Sequence, residues 1–123
     1  IDVLAELPDP RLLALGDMGE VGDQGLAFHD EVLRHALAQG TEHVLVTGHW
    51  MAQAAAPLAP GAAGRLLHCA EQADLIARAV ALAPTLGSAL VKGSRFMRME
   101  RVVEALAALD NPPQAHEEGA HAA

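Results

Sequence analysis

Aromatic side chains are nearly missing from this 123-residue chain: Phe28, Phe96 and Trp50 are all it has, with no tyrosine. Its core must therefore be built from Ala, Leu and Val. Small residues of that kind let helices lie close on a sheet, which suits a layered α/β domain. Cysteine is confined to Cys69, so no internal disulfide can form, in agreement with a cytoplasmic protein. No apolar run approaches the ~20 residues that span a bilayer, and no signal peptide is visible. Cations are few as well. Eight Lys and Arg stand against sixteen Asp and Glu, a formal net charge of −8. That balance argues against a nucleic-acid module, which needs a broad basic face to neutralise phosphates.

What is present points to one domain. The length suits a single folded unit, and the 51% apolar and 20% charged content is that of a globular chain. Residues 1–7, IDVLAEL, read as the end of a helix stopped by Pro8 and Pro10. With Ile1 in place of an initiator Met, this predicts a piece of a longer protein. The domain is expected over 1–109. Residues 110–123, NPPQAHEEGAHAA after Asp110, lack periodicity and are expected to be a flexible tail.

Between these ends, short apolar runs alternate with helical patterns. RLLAL (11–15), HVLVTG (43–48), RLLHC (65–69) and SALVKG (88–93) do not alternate polar with apolar, as strands buried on both faces should not. Residues 25–39 predict a helix with Phe28, Val32 and Ala36 on its buried face, beside Leu33 and Leu37, and Gly40 to end it. Residues 49–57 predict a short helix and 57–64 a loop. Residues 71–83 predict a third helix, and Met99, Val102, Val103, Leu106 and Leu109 mark a last one. The fold class expected is α/β: a three-layer, Rossmann-like sandwich on a mainly parallel sheet with right-handed crossovers.

Ligands in such sheets bind at the carboxyl ends of the strands. Half of the eight basic residues gather at one of them: Lys92, Arg95, Arg98 and Arg101. Gly93 permits a sharp exit from the strand, and Ser94 can cap a following helix whose free N–H groups favour an anion. Lys92 and Arg95 add charge-assisted hydrogen bonds. The cluster fits a small carboxylate or phosphate; the alternative is a set of solvated surface cations. At the end of the first strand, Asp17 can accept hydrogen bonds from ribose hydroxyls, or simply cap a helix. No phosphate loop G-x-x-x-x-G-K-[ST] is present. His49, His68 and Cys69 match no common zinc spacing, so no metal site is expected. No Ser/His/Asp arrangement has a supporting motif, so no catalytic residue is assigned. A signalling receiver domain is disfavoured because the third strand ends LLHCAE, without an acceptor aspartate. A free-standing nucleotide- or anion-binding module remains a second reading.

Two segments carry a resemblance. GDMGEVGDQGLAFHDEV (16–32) is similar to the G-D-M-x-E-L-G…H-x-E-V segment that opens the C-terminal domain of the Mur ligases adding D-alanyl-D-alanine. LVKGSRFMRMERVVEAL (90–106) is similar to their L-V-K-G-S-R-x-M-x-M-E-x-V-V segment. The resemblance implies a cytoplasmic, ATP- and Mg2+-dependent ligase of peptidoglycan precursor synthesis, in which ATP activates the carboxylate of a UDP-MurNAc-tripeptide and the D-Ala-D-Ala amine attacks the acyl phosphate. It implies that a central domain holds the phosphate loop and most of the magnesium ligands, and that this domain closes over ATP. Asp17 would then contact the ATP ribose, while Lys92, Gly93, Ser94 and Arg95 would line the D-Ala-D-Ala carboxylate pocket. The piece alone should be inactive. DNPP (110–113) is superficially similar to a motif of the related ligase that adds diaminopimelate, but lies elsewhere, so nothing is carried over from it.

Overall fold

Four of the apolar runs become strands of one sheet: β1 (Arg11–Leu15), β2 (His43–Val46), β3 (Leu66–His68) and β4 (Ser88–Lys92). The computed structural model describes residues 7–18, 25–93, 97–109 and 112–118. The helices are α1 (Gly25–Ala38), α2 (His49–Ala55), α3 (Gln72–Leu82) and α4 (Glu100–Ala107). A fifth strand, β5 (Gln114–Glu118), completes the order β3-β2-β1-β4-β5, and every neighbouring pair is parallel.

The absence of alternation in β1 follows from burial on both faces. Leu13 and Leu15 pack with Val44, Val46, Leu66 and Leu90 under α1 and α2, which contribute Leu33, Ala36, Met51 and Ala54. Leu12 and Ala14 point the other way, with Leu45, Ala89 and Val91, under Leu75 and Ala79 of α3 and Val102 and Leu106 of α4. Fully burying a Leu or Val contributes roughly 1.5–3 kcal/mol, so the central strands dominate the hydrophobic stabilisation. Alanines at the helix–sheet contacts keep both helix layers close.

Three sequence-based expectations change. The face of α1 turned to the sheet runs through Gly25, His29, Leu33 and Ala36. Phe28 is 41% exposed, because His29 takes the inward position that its larger apolar neighbour was expected to fill. The last helix starts at Glu100 with Met99 in the N-cap position, so its N-terminus does not follow Ser94 directly. The expected flexible tail contains β5, which pairs along all of β4 from Ser88↔Gln114 to Lys92↔Glu118. Its sequence, QAHEE, gives no apolar signal. Backbone hydrogen bonding to an open sheet edge is blind to side-chain type, and hydrophobic periodicity therefore cannot detect it. The lead-in helix expected before Leu7 lies outside the described residues.

Arg65 ties the end of α1 to the start of β3. Its guanidinium donates to the Thr41 carbonyl (2.8 and 3.0 Å) and the Leu37 carbonyl (2.9 Å). Among the described residues no buried side-chain nitrogen or oxygen is left without a partner. No described helix is long and apolar enough to cross a membrane.

Candidate functional site

The strand order places a topological switch point between β1 and β4, since the chain proceeds from β1 to β2 on one side and places β4 on the other. Crevices that take ligands in parallel sheets open there, at the carboxyl ends. The two segments singled out in the sequence, Gly16-Asp17 and Lys92-Gly93, are the carboxyl ends of those two strands. They are joined directly: the Gly16 N–H donates to the Lys92 carbonyl at 2.8 Å.

Gly16 and Gly93 keep this junction narrow. A Cβ on Gly93 would lie 2.8 Å from Met99 Cγ and 3.4 Å from the Gly16 Cα. One on Gly16 would meet the Met99 sulfur at 3.0 Å and Met97 Cβ at 3.2 Å. Methionine is flexible enough to fill such an irregular gap, and Met99 is buried across both glycines. The sequence suggested Gly93 for its freedom to turn; the structure shows it is needed for lack of a side chain.

Asp17 is half-buried and already engaged. Its Oδ1 accepts from the Met51 backbone N–H (3.0 Å) and its Oδ2 from that of Trp50 (3.1 Å). It thus caps α2 across more than thirty residues of sequence, and its negative charge lies against the positive end of that helix. Gly48 makes room for the carboxylate. Of the two roles the sequence left open for Asp17, the cap is the one formed. An ionised carboxylate has about four acceptor positions, and two are used here, which leaves capacity for a ligand hydroxyl.

Lys92 is half-buried at the end of β4. Ser94 and Arg95 lie outside the described residues. The loop beyond them is fixed by a residue the sequence reading passed over. The Gln72 side-chain amide, at the start of α3, donates to the carbonyls of Met97 (2.8 Å) and Arg98 (3.2 Å). Arg98 has a left-handed backbone, φ 55°, in which a non-glycine residue costs of order 1–3 kcal/mol. No local sequence signal marks Gln72, because its partners are 25 and 26 residues away.

The histidine and cysteine candidates do not converge. His49 and His68 are exposed, and the His49 ring pairs with Gln53. Among the described residues no three His, Cys, Asp or Glu come together as a metal would require. Cys69 is buried beside Arg78 and Asp74. Burial pushes its thiol up; the Arg78 guanidinium opposes this and the Asp74 carboxylate adds to it.

No family profile matches the chain. Over 108 residues it is 39% identical to the UDP-N-acetylmuramoyl-tripeptide–D-alanyl-D-alanine ligase of Escherichia coli K12, a match covering 86% of this chain and 23% of the ligase. Its fold superposes on a crystal structure of MurF from Acinetobacter baumannii with a TM-score of 0.70 at 26% identity, covering 84% of this chain and 23% of that one. The chain therefore spans under a quarter of the length of the relatives it matches.

Proposed function

We propose, from its kinship with the Mur ligases, that this chain is the C-terminal domain of an ATP-dependent ligase that joins D-Ala-D-Ala to UDP-MurNAc-tripeptide. The carrying observation is the pairing of Gly16-Asp17 with Lys92-Gly93 across the switch point, in a chain 39% identical to that ligase. The identity over 108 residues favours this reading over a free-standing nucleotide- or anion-binding module.

In this reading the domain closes over ATP from the face where β1 and β4 end. Asp17, held by the two N–H groups of α2, accepts a hydrogen bond from a ribose hydroxyl. Lys92, Gly93, Ser94 and Arg95 receive the carboxylate of D-Ala-D-Ala, with the cations supplying charge-assisted hydrogen bonds. This orients the dipeptide so that its amine faces the activated tripeptide carboxyl, a contribution of position rather than of proton transfer. Magnesium, when bound, would supply neutralisation of phosphate charge, and the likeness to the Mur ligases implies that the central domain would provide most of its ligands. Nothing in the sequence of this chain is a phosphate loop, so the chain alone is expected to be inactive. The full ligase is expected to work in the cytoplasm, as its likeness to the Mur ligases implies.

Kinetics of the full-length ligase test the assignment. Lys92→Ala and Arg95→Ala are each expected to raise KM for D-Ala-D-Ala about tenfold or more while KM for ATP changes little, as loss of a charge-assisted bond predicts. Unchanged dipeptide kinetics in both variants would refute the assignment.

A further inference from the structure

We infer that His29 is a positioning residue for Asp17, acting as a neutral imidazole locked in the Nδ1–H tautomer. The inference rests on the ribose contact proposed for Asp17 above. His29 is fully buried, 0% exposed, and both ring nitrogens are engaged. Nε2 lies 2.9 Å from the Met18 backbone nitrogen, and Nδ1 lies 2.6 Å from the Gly25 carbonyl oxygen. A backbone N–H can only donate, so Nε2 must be the unprotonated acceptor. A carbonyl can only accept, so Nδ1 must carry the hydrogen. The two partners leave one tautomer.

That arrangement grips both flanks of Asp17. The N–H held by Nε2 belongs to the peptide bond that leaves Asp17, so the imidazole fixes the backbone plane on its carboxyl side. The ring also lies nearly parallel to Trp50, with centroids 6.2 Å apart and planes at 25°. Trp50 in turn donates its backbone N–H to Asp17 Oδ2. Phe28 meets the same imidazole edge-on, at 5.7 Å. One buried side chain thus connects the exit of β1, the start of α1 and the start of α2. Without Nε2 the Met18 N–H would be a part-buried donor with no partner, and the loop would shift to find one.

The test uses the full-length ligase that contains this chain. His29→Phe is expected to raise KM for ATP about tenfold and leave KM for D-Ala-D-Ala within about twofold. His29→Gln, whose side-chain oxygen can accept from Met18, is expected to recover most of the loss. Combined with Asp17→Asn, His29→Phe is expected to cost no more than the larger single effect, because both act through one carboxylate. Histidine 15N spectra of the wild type, assigned by the signal lost in His29→Gln, are expected to show the Nδ1–H tautomer at neutral pH. An Nε2–H tautomer or an imidazolium would overturn the inference, and this readout decides even if His29→Phe does not fold. Unchanged KM for ATP in both His29 variants overturns it too. A wild-type protein that uses neither ATP nor the dipeptide would remove the ligase reading, and the inference with it.

Discussion

Replacing Gly48 with alanine should be among the more damaging single-methyl additions in this domain, and the cost can be divided into two parts. Gly48 has φ 117° and ψ 168°, a region that is essentially glycine-only. Adopting it with a side chain costs of order 1–3 kcal/mol. The new Cβ would also press on Asp17, 2.5 Å from its Cγ and 2.9 Å from Oδ2. The carboxylate would have to leave the Trp50 and Met51 N–H groups, and loss of a cap of this kind costs about 0.5–2 kcal/mol. Together the change should cost about 1.5–5 kcal/mol, a large part of the stability of a typical domain. Urea unfolding of Gly48→Ala, Asp17→Ala and the double variant separates the parts. Asp17→Ala alone should cost about 0.5–2 kcal/mol. The double variant should be more stable than the sum of the two by about the same amount, since the cap can be lost only once. Additivity within about 0.5 kcal/mol would show that Gly48 and Asp17 act independently, and would refute the reasoning.

Two further outcomes follow from the fold. The Cys69 thiol is raised above its ordinary value of 9.0 by burial, so the unfolded chain loses this proton at lower pH than the folded one. The stability it supports is complete below pH 9.0 and declines as pH rises beyond it. Cys69→Ser, whose hydroxyl does not ionise there, should flatten that decline in a series of unfolding curves from pH 8 to 11. A decline identical to the wild type would contradict it. Truncation after Pro113 removes β5 and leaves β4 as an exposed edge. Hydrogen exchange should then show lost protection at those β4 amides that donate to β5, with β1 and β2 unchanged; equal protection would mean that β5 does not pair in solution.

Local pattern carried far in this chain. β1 appears over the same five residues, 11–15, that the apolar run marked, and β2, β3 and β4 fall within their predicted runs. Strands buried on both faces leave an uninterrupted apolar signature, and a helix between each pair forces parallel connections. The candidate site was legible as composition: half of the cations at the end of one strand, and an aspartate just past another. Those are facts about single segments, and a sequence displays single segments well.

What it could not display is which segments meet. That β4 lies beside β1, so that Gly16 bonds to Lys92, is a matter of sheet order. That Gln72 grips the loop after β4, that Asp17 caps a helix more than thirty residues away, and that His29 rather than Phe28 faces inward depend on long-range packing. The sequence by itself determined the types of the first four strands and of the four helices, because propensity and hydrophobic period act within a few residues. Only the tertiary structure decided the partners of each polar group, because a hydrogen bond depends on distance in space and a chain folds distant residues together. β5 marks the boundary between the two: its side chains carry no strand signal, and it exists through the backbone groups that the edge of β4 leaves open.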